Sequence, residues 1–258
     1  MFTDPVRDYG DAIAVVTVTR RGLPGLDGFR AALPAGTGRP VRLLVVDTAG
    51  GSSARDADVL RLAEDVGRAA ALNRAVAGLE PSVGWILLSD PRVRWRPGAV
   101  DALLDAAARH PRAGLLGPRT HAGGSVIPTG GALPGVLAAA GGRIPRGAVT
   151  GPTGWLSTAA VLVRRTAWDS VDGLDGRYLG GPGEIGDVDL GDRLGRAGWL
   201  VVAVADAGVD VEPDDTFVNG HGILEPHAAG LHRYVRDRAS VPVRALAALA
   251  RRLPDPRT

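Results

Sequence analysis

Apolar residues in this chain fall into short runs separated by turn-forming residues, and the period of the runs alternates. Ala12–Thr19 is a β-branched run, with IAVVTVT inside it, and predicts a first strand. Arg20–Pro24 reads as a turn, a helix follows to Leu33, and Pro34–Pro40 is a Gly/Pro loop. A second strand, Val41–Val46, ends at Asp47, and Thr48–Ser53 is small and polar enough for a loop. Helices are expected over Asp56–Leu62 and over Val66–Leu79, the second entered through Gly67. Strand Gly84–Leu88 ends at Ser89 and Asp90. Pro97–His110 is a clear helix, because Val100, Leu103 and Leu104 share a face and Pro97 suits a first turn.

Beyond Pro111 the pattern gives a strand at Ala113–Leu116 and then a stretch rich in Gly, Pro and Ala, Thr120–Val149, read as a long connection over the site. Trp155–Arg164 predicts a strand, Arg165–Val171 a helical turn, Val188–Ala197 a helix and Trp199–Val204 a strand. Strand and helix alternate four times in the first half, which argues for an α/β fold with a mostly parallel central sheet flanked by helices. In such sheets ligands bind beyond the carboxyl ends of the strands, where Asp47 and Asp90 both lie.

Composition narrows the chemistry. The chain has no cysteine, so disulfides, thiolate catalysis and cysteine-bound metal centres are excluded. It has no lysine either, which removes Schiff-base chemistry and the phosphate-loop lysine. The turn after the first strand, RRGLPG, lacks the GxGxxG fingerprint and disfavours a dinucleotide-binding Rossmann enzyme. A net charge of +2 and 4% aromatic residues give no footprint for nucleic acid. No apolar run reaches the roughly 18 residues of a membrane span. The acidic start, MFTDPVRDYGDAIAVV, is unlike a signal peptide, so a cytoplasmic location is expected.

Several segments, taken together and in order, resemble the inverting family 2 glycosyltransferases, in particular the actinobacterial rhamnosyltransferases that act on lipid-linked N-acetylglucosamine. They are VVTVT at 15–19, LLVVDTAGGSS at 43–53, DVGRAAALNRAV at 65–76, WILLSDPRVRWRPGAV at 85–100, PRAGLLGPR at 111–119, GWLSTAAVLVRRTAWDSVDGLDGRYL at 154–179, GDVDLGDRLGRAGW at 186–199 and HRY at 232–234. Each motif is weak alone; their order and spacing make the joint signal. The resemblance implies a GT-A, Rossmann-like domain over residues 1–231 with a basic helical tail over 232–258. It implies a nucleoside-diphosphate sugar as donor and a glycolipid or glycan as acceptor.

By that resemblance Thr19, Asp47, Asn73, Asp90 and Arg92 would hold the donor nucleotide, and Gly154, Trp155 and Asp175 would shape the acceptor side. Asp187 would be the general base that takes the proton of the acceptor hydroxyl. Each residue has a plainer role open to it. Asp47 caps a turn equally well, Asn73 can hold a loop through backbone bonds, Asp187 can be a helix N-cap, and Arg68 can face either phosphate or solvent.

Three positions depart from the family pattern. The metal-binding DXD element, whose carboxylates would hold Mg²⁺ or Mn²⁺, reads Asp90-Pro91-Arg92, leaving Asp90 as its one acid and putting ordinary metal binding in doubt. Gly186 stands where a Glu precedes the base, with Glu184 two residues earlier. The late histidine that can join the metal is absent from AGVDVEPDDTF at 207–217, where Asp210 or Glu212 would have to stand in. His221, His227 and His232 have no metal-ligand spacing. These departures keep open a second reading, a non-catalytic relative that binds nucleotide or a partner enzyme; a nucleotidyltransferase is a weaker third. From His232 on, seven arginines face two acids with Leu246, Leu249 and Leu253 interleaved. That pattern suits either a helix packed on the domain or peripheral contact with the inner face of the cell membrane.

Overall fold

In the computed structural model, residues 9–19, 26–48, 58–135, 138–139, 143–147, 150–178, 185–211 and 228–238 are described. The β-branched runs become strands and the 3.6-period runs become helices, in the order β1 (Ala12–Thr19), α1 (Leu26–Gly36), β2 (Val41–Asp47), β3 (Asp58–Arg61), α2 (Gly67–Ala77), β4 (Val83–Ser89), β5 (Val93–Trp95), α3 (Ala99–Arg109) and β6 (Ala113–Ala122). There follow β7 (Ser125–Ile127), β8 (Gly130–Gly131), β9 (Gly151–Thr153), β10 (Trp155–Leu156), β11 (Ala160–Arg164), α4 (Arg165–Ser170), a 3₁₀ turn at Gly176–Tyr178, α5 (Gly186–Arg196), β12 (Leu200–Val211) and α6 (Ala228–Arg238).

The central sheet has the order β3-β2-β1-β4-β11-β6-β12-β5, with β7 beside β6 and β9 beside β12. The β3-β2-β1-β4 block is parallel, and β6 pairs in parallel with β12; β11 and β5 are antiparallel to their neighbours. The mostly parallel sheet expected from the alternation is therefore present. Its two faces bury separate apolar clusters. Phe29 and Leu33 of α1 and Val100 and Leu103 of α3 cover one, while Leu72 and Val76 of α2, Trp168 of α4 and Leu190 and Leu194 of α5 cover the other. Both faces being covered explains why the central strands read as continuous apolar runs.

Four expectations are corrected. Residues 58–61 form a strand, not a helix: they pair in parallel with the open edge of β2, Leu44 opposite Asp58 and Asp47 opposite Arg61, and tertiary pairing overrides local preference. The predicted strand 155–164 is broken in two. Trp155–Leu156 pairs with β8 in a small separate sheet, Ala160–Arg164 enters the central sheet, and the polar residues at 157–159 form a loop between them. The connection after Thr120 contains a hairpin, in which Gly123 and Gly124 have φ of +55° and +82° and close Ala122 against Ser125. That is the geometry a two-residue hairpin turn demands of both central residues. Finally β12 runs to Val211, well beyond the expected end at Val204.

The expected boundary between domain and tail, at 231/232, falls inside α6. That helix packs on the domain: Leu231, Tyr234 and Val235 are buried with Trp155, Tyr178, Ile185 and Val188. Among the described residues no helix is long and apolar enough to cross a membrane.

Candidate active site

Thr19, Asp47 and Ser89 close three adjacent strands at their carboxyl ends, and Asp90 follows directly. Thr19 and Asp47 are cross-strand neighbours, and both side chains are fully buried. The hydroxyls of Thr17 and Thr19 are buried without a hydrogen-bond partner among the described residues. Unmet polar groups are unusual inside a protein and mark a place where polar partners belong. Thr48 donates from both its backbone N–H and its hydroxyl to the Thr19 carbonyl, at 3.1 and 3.3 Å, which locks the ends of β1 and β2 together.

The loop at 157–159 gathers the charged groups. The backbone N–H of Asp90 donates to the Ala159 carbonyl at 2.7 Å. Arg68, in the first turn of α2, donates to the Thr158 hydroxyl at 2.7 Å and to its carbonyl at 2.9 Å. Thr158 in turn donates its hydroxyl to Oδ1 of Asp187 at 2.6 Å. Asp187 lies within the first turn of α5, not at its N-cap; Ile185 holds that position without a side-chain bond. The carboxylate is thus directed at the loop, and an anion there is also favoured by the helix dipole.

Burial pushes the Asp187 carboxyl above the usual carboxylate range, while the Arg68 guanidinium and the hydroxyls of Thr158 and Ser157 pull it back down. A carboxylate of raised pKa is a better proton acceptor than an ordinary one. Glycine makes this placement possible. A Cβ on Gly191 of α5 would lie 2.2 Å from the Gly154 carbonyl, and a Cβ on Gly154 would lie 2.3 Å from the Leu133 nitrogen. Helix α5 therefore rests directly on β10, backbone against backbone.

Asp90 does not present a vacant carboxylate. Its Oδ1 accepts from Nε of Arg92 at 2.9 Å, its Oδ2 from Nη2 at 3.0 Å, and Oδ1 also accepts the Arg92 backbone N–H at 2.9 Å. Asp210, considered for the missing histidine, is likewise paired: Nε and Nη2 of Arg96 donate to it at 2.8 and 2.7 Å. Those bonds hold the Asp210 carboxyl below the usual range. Among the described residues no three His, Asp or Glu side chains are grouped so as to hold a metal ion. The residues present at Asp90 thus do not fit a divalent cation. Glu184, Glu212, His221 and His227 lie outside the described residues.

The remaining sequence-derived positions have partners within the protein. Of the two roles open to Asn73, the loop-holding one is realised: its amide donates to the Leu174 carbonyl at 2.7 Å and accepts from the Leu174 N–H at 2.9 Å. Gly173 beside it has φ +65°, and a Cβ there would meet the Asn73 amide oxygen at 2.5 Å. Trp155, expected at the acceptor side, is only 3% exposed, with its indole N–H donating to the Pro145 carbonyl at 3.3 Å. Gly154 is half-buried, with the Leu133 backbone close against it. Asp175 is engaged by Arg177, whose Nη2 donates to it at 2.6 Å and whose backbone N–H donates at 2.9 Å. Thr158 was not singled out by sequence reasoning; its one signal is the Ser-Thr pair interrupting the apolar run of GWLSTAAVLV.

The chain is 38% identical over 234 residues, 77% of this chain and 75% of the relative, to an N-acetylglucosaminyl-diphospho-decaprenol L-rhamnosyltransferase of Mycobacterium tuberculosis, with the same values in strains CDC 1551 and H37Rv. No family model matches it. Among solved structures it superposes on GalNAc-T7 with UDP, GalNAc and Mn²⁺ at a TM-score of 0.61 and 10% identity, covering 78% of this chain and 44% of that one. It superposes on S. aureus TarS at 0.58 and 11% identity, covering 92% of this chain and 41% of that one. These two share the fold, which is of the GT-A type.

Proposed function

The chain belongs to the glycosyltransferase family of the mycobacterial N-acetylglucosaminyl-diphospho-decaprenol L-rhamnosyltransferases, and from that membership we propose that it transfers rhamnose from a nucleoside-diphosphate donor to a lipid-linked N-acetylglucosamine, with inversion. The nucleotide lies over the carboxyl ends of β1, β2 and β4, against Thr19 and Asp47, with its diphosphate toward Asp90 and Arg92. Asp187 accepts the proton of the acceptor hydroxyl as that oxygen attacks the anomeric carbon. The bond from that carbon to the diphosphate breaks on the opposite face, and nucleoside diphosphate leaves. Arg68 and Thr158 orient the base.

The observation that carries this reading is the 157–159 loop, which ties the strand end bearing Asp90 to the helix turn bearing Asp187. Asn73, Gly154, Trp155 and Asp175 act behind the site, holding its walls. The lipid-linked acceptor also gives the basic stretch after His232 a role, in peripheral contact with the inner face of the cell membrane; residues 239–258 lie outside the described ones.

The test is direct. Purified protein incubated with dTDP-rhamnose and a short-chain polyprenyl-diphospho-N-acetylglucosamine should add one deoxyhexose to the acceptor, read by mass spectrometry, with inverted anomeric configuration by NMR. Nucleotide binding without transfer to any lipid-linked sugar would overturn the activity and leave the non-catalytic reading.

A further inference from the structure

Resting on that donor-site reading, we propose that the chain binds the donor diphosphate without a divalent cation, the Arg92 guanidinium taking the ion's place at the end of β4. Three observations carry this. The first is occupancy. Both oxygens of Asp90 already accept from Arg92, in a fork with N···O distances of 2.9 and 3.0 Å, braced by the Arg92 backbone N–H on Oδ1. A metal seeking that carboxylate has to displace a cation held by paired, charge-assisted bonds.

The second is charge. Two carboxylates and a divalent ion sum to zero, and so do Asp90 and Arg92 together. Placing a guanidinium where a second carboxylate would stand changes the local charge by two units, the charge of the ion itself. A guanidinium does not deprotonate in a protein and meets phosphate oxygens as a planar fork. Asp90 holds the guanidinium at the strand end through its Nε and Nη2 edge, and the side chains of Asp90 and Arg92 are 21% and 33% exposed.

The third is the surroundings. Asp210, the other acid considered for a metal, is tied up bidentately by Arg96. At Thr158 of the 157–159 loop, Arg68 adds a further guanidinium near Asp187. Both acids that sequence reasoning considered for a metal, where the structure describes them, are thus matched by an arginine, and no acidic cluster exists among the described residues to recruit an ion.

Calorimetric titration of the full chain with dTDP and, separately, UDP, first in EDTA and then in Mn²⁺, tests the proposal. At least one nucleotide should bind in EDTA with an affinity that Mn²⁺ changes by no more than about threefold, under 1 kcal/mol. Arg92→Ala should weaken that binding by about tenfold to a hundredfold, the loss expected for a hydrogen bond to a charged group. Arg92→Lys, which keeps the charge without the fork, should fall between the two and guards against a folding artefact, with circular dichroism confirming each fold. Arg92→Asp should bind only with Mn²⁺. Wild-type binding seen only with Mn²⁺ overturns the proposal and leaves the donor-site reading standing. Binding of neither nucleotide under either condition overturns the donor site itself, and the proposal with it.

Discussion

Thr158 donates its hydroxyl hydrogen to Oδ1 of Asp187 at 2.6 Å while accepting from Arg68 at 2.7 Å, so one threonine relays a guanidinium to the proposed base. The relay sets the balance at Asp187, where burial opposes ionisation and Arg68, Thr158 and Ser157 favour it. Removing the relay should tip that balance. In Thr158→Val the Asp187 pKa is expected to rise further, and the acid limb of the kcat/KM pH profile should move to higher pH. An unmoved limb would assign that limb to another group.

The same balance predicts a stability effect. The folded-state pKa of Asp187 is raised, so between its unfolded value, 3.8, and its folded value the native state binds more protons than the unfolded one. Stability from this group is therefore fully present below the unfolded value and is lost as pH rises through the folded one. Asp187→Asn removes that cost and should melt higher than wild type at neutral pH, with the difference shrinking on acidification. Its transfer rate should fall by about 10²-fold or more while nucleotide binding persists. A variant with normal turnover would remove Asp187 as the base.

Gly191→Ala should separate packing from chemistry. Its Cβ would sit 2.2 Å from a backbone oxygen, which has no flexible end to yield. A loss of about 1–3 kcal/mol is expected in urea denaturation, as for other overpacked sites. Because α5 carries Asp187, activity at a temperature where the variant is folded should fall too. A neutral effect on both would show that helix and strand separate easily.

Arg238 anchors α6 to α5, the helix that carries Asp187. It donates to Asp189 and Asp192 and lies over the Tyr234 ring with its guanidinium carbon 4.3 Å from the centroid. Asp189 is fully buried, and Arg193 also pairs with it at 2.8 Å. Arg238→Ala leaves two enclosed carboxylates with less compensation and should cost near the lower end of about 3–5 kcal/mol in chemical denaturation. Arg238→Lys should recover part of this. A loss within error of zero would mean α6 is dispensable to the fold.

Membrane contact through the basic C-terminal stretch predicts co-sedimentation with vesicles containing anionic lipid, weakening as salt is raised. Equal sedimentation with neutral and anionic vesicles would rule out the electrostatic component.

What the sequence by itself determined was the alternation of the main strands and helices, the mostly parallel sheet and the strand ends that carry Asp47 and Asp90. Those follow from the periods of apolar residues in Ala12–Thr19, Val41–Asp47 and Val83–Ser89, which are local properties of the chain. The family was legible too, because Asp47, Asp90 and Asp187 keep their spacing within recognisable segments. Only the tertiary structure decided how the polar groups pair. Asn73 bonds a backbone 101 residues away, and Thr158 meets Asp187 across 29 residues. Trp155, expected on the acceptor side, is buried because α6 returns from late in the chain to cover it. The strand 155–164 was broken by hydrogen bonds from its middle to Thr129 and Asp90, partners that no local pattern reveals. Periodicity reports which face of an element is buried; which donor reaches which acceptor depends on the packing of elements distant in sequence, and that is where this site's chemistry resides.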